Sequence, residues 1–332
     1  VVYVSTDVYF GDAALVALSE QEGAELWRTE FDDVPALNPP ALAESKVIVA
    51  TSGHEDTILW GLSRDGGAVE FQAPFDSQWG HYLAPTVVGN SIYQEGGFYG
   101  GLTYSFDTES GAQNFSIGST ASWSMSTPAA DANNVFAYSR DALSVIDLGG
   151  GSAISIPDPF GNDESDYHAT TVIGSGRNVL AFSGGAFSGR ASSNVEHFGE
   201  RVISSFDVAA GVHQWATTAE YKTHYAVADG LIYAGKSVPL SLDAIDEATG
   251  EVVWSWTPPA ADDGSFHRNV VATRNLLFTS TDTKVYAIDR ATRAVVWTYN
   301  EPGMLAITDN RILLLATGAV ESDGRLLAFD LR

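Results

Sequence analysis

The chain has 332 residues, no cysteine and a formal charge of −25, from 42 acids against 17 bases. Without cysteine there are no disulfides, thiolate metal sites or cysteine nucleophiles, and the excess of acids disfavours nucleic acid and anionic membrane as partners. No run of 18 apolar residues occurs, so no transmembrane helix is expected.

From the N-terminus, a short apolar run (Val1-Val2-Tyr3-Val4) leads into a phrase marked by Ala17, Ser19, Gly23 and Trp27. The phrase returns as Gly61/Ser63/Gly67/Phe71, Ser105/Asp107/Gly111/Phe115, Val145/Asp147/Gly151/Ser155 and Ser205/Asp207/Gly211/Trp215. It is clearest at Ala244/Asp246/Gly250/Trp254, loses its glycine at Ala287/Asp289/Arg293/Trp297, and begins again at Ala328/Asp330. The fourth copy has Ser155 where the others carry an aromatic.

Each phrase reads as strand, tight turn, strand. Alternation such as Lys284-Val285-Tyr286-Ala287-Ile288 suits a half-buried pleated surface. Asp or Ser opens the turn by bonding the downstream backbone, and Gly supplies positive φ. The aromatic opens an outer strand, placed to cover the neighbouring unit where a small residue leaves room.

A further strand precedes every phrase. Those segments are Val1–Val4, Val47–Ala50, Ile92–Tyr93, Val135–Ala137, Val179–Ala181, Leu231–Tyr233, Leu276–Phe278 and Ile312–Leu314. They recur roughly every 45 residues, with one stretched interval near residue 190. An innermost strand lies before each of the last seven, as in Ala84-Pro85-Thr86-Val87-Val88. Four strands per unit at this period predict an all-β fold, a single β-propeller domain over residues 1–332, with eight four-stranded antiparallel blades. Seven-blade closure is the alternative.

With its tryptophan-docking repeats, the chain resembles the quinoprotein-like (PQQ-repeat) propellers along its whole length. Its ending is similar to the assembly lipoprotein propeller of the Bam complex, in which blade eight borrows its fourth strand from the N-terminus. That resemblance implies a closing strand and one innermost strand upstream of Val1, a periplasmic or extracellular location, and a binding scaffold for a protein. It does not extend to the quinoprotein dehydrogenases, for which it would imply a vicinal cysteine pair. Bound pyrroloquinoline quinone is therefore not expected, and no cofactor is assigned.

Function is expected where the repeat is broken. The loops entering the innermost strands and those after the second strands share one propeller face. Blade three enters with Trp79-Gly80-His81-Tyr82, blade five with Asp166-Tyr167-His168, blade six with Tyr221-Lys222-Thr223-His224-Tyr225 and blade seven with Phe266-His267-Arg268. Four of the chain's seven histidines fall in these short windows. A one-residue slip reverses a strand side chain, so not all four need face inward. His54, Arg140, Lys236 and the blade-five insertion from Gly184 to Glu200, with Arg190 and His197, lie toward the same mouth. The Pro-bearing acidic loops Pro157–Asp166 and Pro258–Ser265 are expected to rim it.

Three readings follow. In the first, the propeller binds a protein or an anionic glycan at the mouth through His224, His267, Tyr167, Arg140, Lys236 and His54. In the second, it is a polysaccharide lyase acting on uronate glycans. There His81 or His168 serves as base, Tyr225 or Tyr82 as acid and Arg268 as the carboxylate clamp. Several lyase families are similar in placing His, Tyr and Arg on a propeller face. In the third, two or three of His81, His168, His224 and His267 hold a divalent metal. A plainer reading stands beside all three: His beside Tyr is a common channel lining, and the bases pair with the acidic loops. His213, next to Trp215 in an outer strand, reads as structural.

Overall fold

The computed structural model describes residues 1–6, 11–52, 57–77, 84–96, 102–118, 127–149, 152–162, 170–184, 201–262, 264–318 and 324–331. These form eight antiparallel sheets arranged as an eight-bladed propeller. Blade 1 comprises Val2–Ser5, Gly11–Leu18 and Glu25–Val34. Blade 2 has Lys46–Ser52, Ile58–Ser63 and Val69–Pro74, and its inner position is split into Ala36–Leu37 and Ala41–Leu42. The split falls at Pro39-Pro40, which have no N–H to give the ladder.

Blade 3 runs Thr86–Val88, Ser91–Glu95, Leu102–Asp107, Gln113–Gly118. Blade 4 runs Ala129–Ala130, Asn134–Ser139, Ala142–Asp147, Ala153–Pro157. Blade 5 runs Val172–Ile173, Asn178–Phe182, Ile203–Asp207, Val212–Ala216. Blade 6 runs Ala226–Ala228, Leu231–Ser237, Leu240–Asp246, Val252–Trp256. Blade 7 runs Phe266–Ala272, Leu276–Thr281, Val285–Asp289, Val295–Tyr299. Blade 8 comprises Met304–Ile307, Ile312–Thr317 and Arg325–Asp330. The eight blades match the expected count, although the first and last sheets have three strands each.

No blade has a core of its own. Seven hydrophobic clusters are each shared by two successive blades, from Leu15, Phe31, Val47 and Leu62 between blades 1 and 2 to Phe278, Ala287, Leu305 and Leu313 between blades 7 and 8. Burial that drives folding therefore lies between repeats, and one repeat alone would expose it. Between blades 8 and 1 the contact is more polar. There Asn310 Nδ2 donates to Glu20 Oε2 at 2.6 Å, beside a cavity of about 410 Å³ lined by Val1–Tyr3, Leu42, Ile307 and Asn310 among others.

The phrase itself is resolved in detail. Asp246 Oδ1 accepts the N–H groups of Ala248 (3.0 Å) and Thr249 (2.9 Å), and Gly250 N–H donates to Asp246 O at 2.8 Å. The small residue lies directly across from the aromatic of its own blade: Ala17 pairs Trp27, Gly61 pairs Phe71, Ser105 pairs Phe115, and Ala244 pairs Trp254. This differs from the expectation that it makes room in the neighbouring unit. The neighbour's contribution is its turn glycine. A Cβ on Gly67 would lie 2.5 Å from Trp27 Cε3, and one on Gly250 2.5 Å from Trp215 Cε3; Gly111 is likewise covered by Phe71. Where glycine is lost, Arg293 keeps φ at 62° and places its guanidinium carbon 5.2 Å from the Trp254 ring centroid.

In blades 1, 2, 3, 5, 6 and 7 the pairing slips by one residue immediately after the aromatic's partner. Such a bulge sharpens twist and re-aims a side chain, here the ring toward the next blade. Blade 4, which has Ser155 for its aromatic, pairs without a slip, and Gly211 of blade 5 has nothing within 4 Å of its would-be Cβ. The Gly250→Ala variant is expected to lose roughly 2–4 kcal/mol, combining a left-handed alanine with a displaced ring. Gly211→Ala, at the similar φ of 69°, should lose only about 1–2 kcal/mol. Urea denaturation of the two variants measures the difference, which is the cost of crowding the ring; equal losses would contradict the docking role.

Candidate functional site

The mouth is built by the turns after second strands and the segments entering innermost strands. Of the expected residues, His54, His81, Tyr82, Tyr167, His168, Arg190 and His197 lie outside the described residues, as does the side chain of His267. Arg140, Lys222, Lys236, His224, Tyr225 and Arg268 are described.

The structure brings His224 and Arg268 together at the junction of blades 6 and 7. His224 N–H donates to Arg268 O at 2.8 Å, and Val270 N–H donates to His224 O at 3.0 Å, so the blade-6 entry runs parallel to the inner strand of blade 7. A bulge between His267 and Val270 places Arg268 at φ 66°. Asn269 continues the stitch to blade 8: its side chain donates to Leu305 O at 2.8 Å and accepts Leu305 N–H at 3.0 Å. Burial holds the His224 imidazole down to about 4, so it is neutral near pH 7.

The next residue is Tyr225. It packs in the wall between blades 5 and 6 with its ring 5.1 Å from Phe182, edge on. Its hydroxyl is buried without a hydrogen-bond partner, and burial raises its pKa well above the usual phenol range. Arg140 occupies the tight turn after the second strand of blade 4, at φ 53°. Its carbonyl accepts from Tyr138 Oη at 3.1 Å and from Asn162 N–H at 3.3 Å.

Lys236 is not a free cation. Its Nζ lies 2.6 Å from Asp243 Oδ2, which also accepts from Tyr221 Oη at 3.0 Å. Burial alone would raise the Asp243 carboxyl; hydrogen bonds from Lys236, Ser255, Ser241 and Tyr221 hold it below its ordinary value. Lys222 is different, with its Nζ 3.4 Å from Ser265 Oγ.

Sequence reasoning missed the carboxylates that hold this face. Asp158 and Asp262, expected on rim loops, are 5% and 4% exposed. Asp262 accepts from Tyr286 Oη (2.6 Å), Thr283 Oγ1 (2.7 Å), Thr281 Oγ1 (2.8 Å) and Gly264 N–H (3.0 Å). Asp158 accepts from Tyr138 Oη at 2.8 Å and Phe160 N–H at 2.9 Å, with Ser204 Oγ at 3.3 Å. His213, read as structural, joins this network: its Nε2 is 3.0 Å from Ser204 Oγ and 3.9 Å from Asp158 Oδ1. Glu95 was also missed. At 2% exposure it accepts from Thr103 Oγ1 at 2.6 Å, and burial pushes its carboxyl up to about 7. A proline with an aspartate one to three residues on, after an outer strand, as in Pro157-Asp158 and Pro259-Ala260-Ala261-Asp262, was the available signal for Asp158 and Asp262. Among the described residues no group of three His, Asp or Glu side chains is placed to hold a metal ion.

A family model described as outer membrane protein assembly factor BamB matches residues 1–256. The chain belongs to the BamB family. Solved structures of similar fold include BamB from Moraxella catarrhalis, with TM-score 0.69 and 15% identity, covering 99% of this chain and 96% of that one. A computationally designed protein, Ika8, has TM-score 0.67 and 13% identity over 98% of this chain and 93% of its own. The dihydro-heme d1 dehydrogenase NirN has TM-score 0.65 and 15% identity over 99% of this chain and 70% of its own. At these identities the likeness is one of fold. No curated protein sequence matches this chain.

Two outcomes follow from the buried charges. Lys236→Ala leaves Asp243 buried without its cation and is expected to cost about 3–5 kcal/mol in chemical denaturation. Glu95 in the folded state keeps a proton that the unfolded chain releases near 4.5, so its contribution to stability is lost as pH rises from 4.5 through 7. Glu95→Gln should therefore raise stability at pH 8 by about 3 kcal/mol, at about 1.4 kcal/mol per pH unit, with little effect at pH 4. Thermal melts of both proteins across this range check the sign.

Proposed function

We propose that this BamB-family propeller is a periplasmic or extracellular scaffold that docks a protein partner on its mouth face. The observation that carries this reading is the family match over residues 1–256, because the family is described by its role in protein assembly. The mouth's construction supports it. The bases Arg140, Lys222, Lys236 and Arg268 belong to four turns or entry segments of blades 4, 6 and 7; Lys236 pairs with buried Asp243, and the Arg140 turn is tied through Tyr138 to buried Asp158. Such a face offers fixed hydrogen-bonding groups and cations, which favour orientation and encounter of an acidic partner more than raw affinity. Scaffold loops positioned by a rigid frame are also where propellers vary without loss of fold.

A photo-crosslinking amino acid at Asp141, in the blade-4 mouth turn, and one at Arg274, in a turn on the opposite face, test the assignment in the native cell envelope. A discrete protein adduct identified by mass spectrometry is expected from position 141 and not from 274. Equal labelling from both faces, or none from position 141, contradicts it.

A further inference from the structure

We propose that the corner of the mouth between blades 6 and 7 binds an acidic segment with an apolar residue beside its carboxylate, through Lys222, Ser237, Ser265 and Val238. The proposal rests on the mouth-face reading above and specifies the partner's chemistry.

Lys222 is partly buried at the blade-6 entry, and its Nζ contacts Ser265 Oγ of blade 7 at 3.4 Å. Ser265 Oγ is in turn 3.1 Å from Ser237 Oγ. Among the described residues no carboxylate lies within ion-pair distance of Lys222, in a chain with 42 acids. Lys46, by contrast, is claimed by both Glu70 (3.0 Å) and Glu109 (2.5 Å), and Lys236 by Asp243. An ammonium has three N–H donors; Lys222 spends one on Ser265, so it can still donate to a carboxylate oxygen beside the Ser265–Ser237 hydroxyl pair.

The position is set by backbone geometry. Lys222 N–H donates to Gly235 O at 2.8 Å, and a Cβ on Gly235 would press on Thr223 Cγ2 at 2.9 Å and Phe266 Cβ at 3.0 Å. Glycine at 235 thus lets the two blade entries close up until Lys222 reaches Ser265. Ser265 N–H donates to Asp282 Oδ2 at 2.8 Å, which holds the loop that carries the Ser265 hydroxyl.

The apolar half comes from the adjoining hairpin. Val238, next to Ser237, is 81% exposed, the highest value among the large hydrophobic residues described. An apolar side chain next to the bound carboxylate would cover it.

The capped peptide Ac-Leu-Asp-Leu-NH2, titrated against the whole protein and followed through the Val238 methyl resonances, tests the site. Saturable shifts are expected at Val238, with Kd raised about tenfold by Lys222→Gln and by exchange of the peptide's aspartate for asparagine. A smaller rise is expected for Val238→Ser, followed by isothermal titration calorimetry because that variant lacks the reporting methyls, and added salt should weaken the charged peptide only. Equal Kd for wild type and Lys222→Gln, or shifts that leave Val238 unmoved, overturns the proposal. If that happens while the position-141 adduct still forms, the mouth-face reading stands and only this corner is reassigned.

Discussion

The structure depends on one repeated contact: an aromatic ring from one blade laid over the turn of the next. Three features of the phrase act together to make it. The small residue opposite the ring leaves the sheet surface open, as at Gly61 beneath Phe71. The slip in pairing after that residue tilts the ring outward. The turn glycine, with φ near 70°, has no side chain to meet the ring. The slip goes with the aromatic, whereas the glycine can be replaced, as Arg293 in blade 7 shows. Blade 4 has no aromatic, and it also has no slip. Its junction with blade 5 is held instead by Asp158, Ser204 and His213, with Phe160 5.6 Å from the His213 ring. The network stands in for the missing ring contact beside the apolar cluster that blades 4 and 5 still share, and a histidine sits where the outer strands of blades 6 and 7 carry Val252 and Val295.

Because adjacent blades are locked at the turns of one face, the opposite face is free to vary. Its loops still need anchoring, since buried backbone ends and turns require partners. Asp158, Asp243 and Asp262 supply them, each bonded to a tyrosine hydroxyl and to hydroxyls or backbone amides from neighbouring segments. A carboxylate with several donors can stay ionised while buried, whereas one with a single donor cannot, as the contrast between Asp262 and Glu95 shows. The loops above these anchors can change sequence without disturbing the core clusters between blades.

This division explains what was legible in the sequence. Period, turn chemistry and strand order follow from local rules that recur in every copy, so the eight blades and their boundaries could be read directly. The orientation of mouth residues could not. His224 and Tyr225 are adjacent, yet one bonds along blade 7 and the other is buried against Phe182; which is which depends on register. The positive-φ bulge at Arg268 breaks alternation in the very strand that pairs with His224. The ion pair between Lys236 and Asp243 was hidden for a related reason. Asp243 is fully buried within its strand, and only three-dimensional proximity reveals its cation. Asp262 looked like part of an acidic rim because its partners are Tyr286 in blade 7 and two threonines near the end of the preceding strand.

The titratable groups at the mouth have a combined consequence. His224, held down to about 4, adds stability above its ordinary 6.5, and that contribution is lost as pH falls toward 4. Glu95, raised to about 7, acts with the opposite slope between 4.5 and 7. From about 4.5 to 6.5 the two nearly cancel, each exchanging about one proton in opposite directions between folded and unfolded states. In that interval both side chains are also largely uncharged in the folded protein. Among the described residues the local charge then comes from the arginines and lysines and from Asp243 and Asp262, whose hydrogen bonds hold them below the ordinary carboxyl range. Among the described groups of this face the local field is therefore set by fixed charges rather than by His224, and the corner proposed above would offer Lys222, which has no described carboxylate within ion-pair distance.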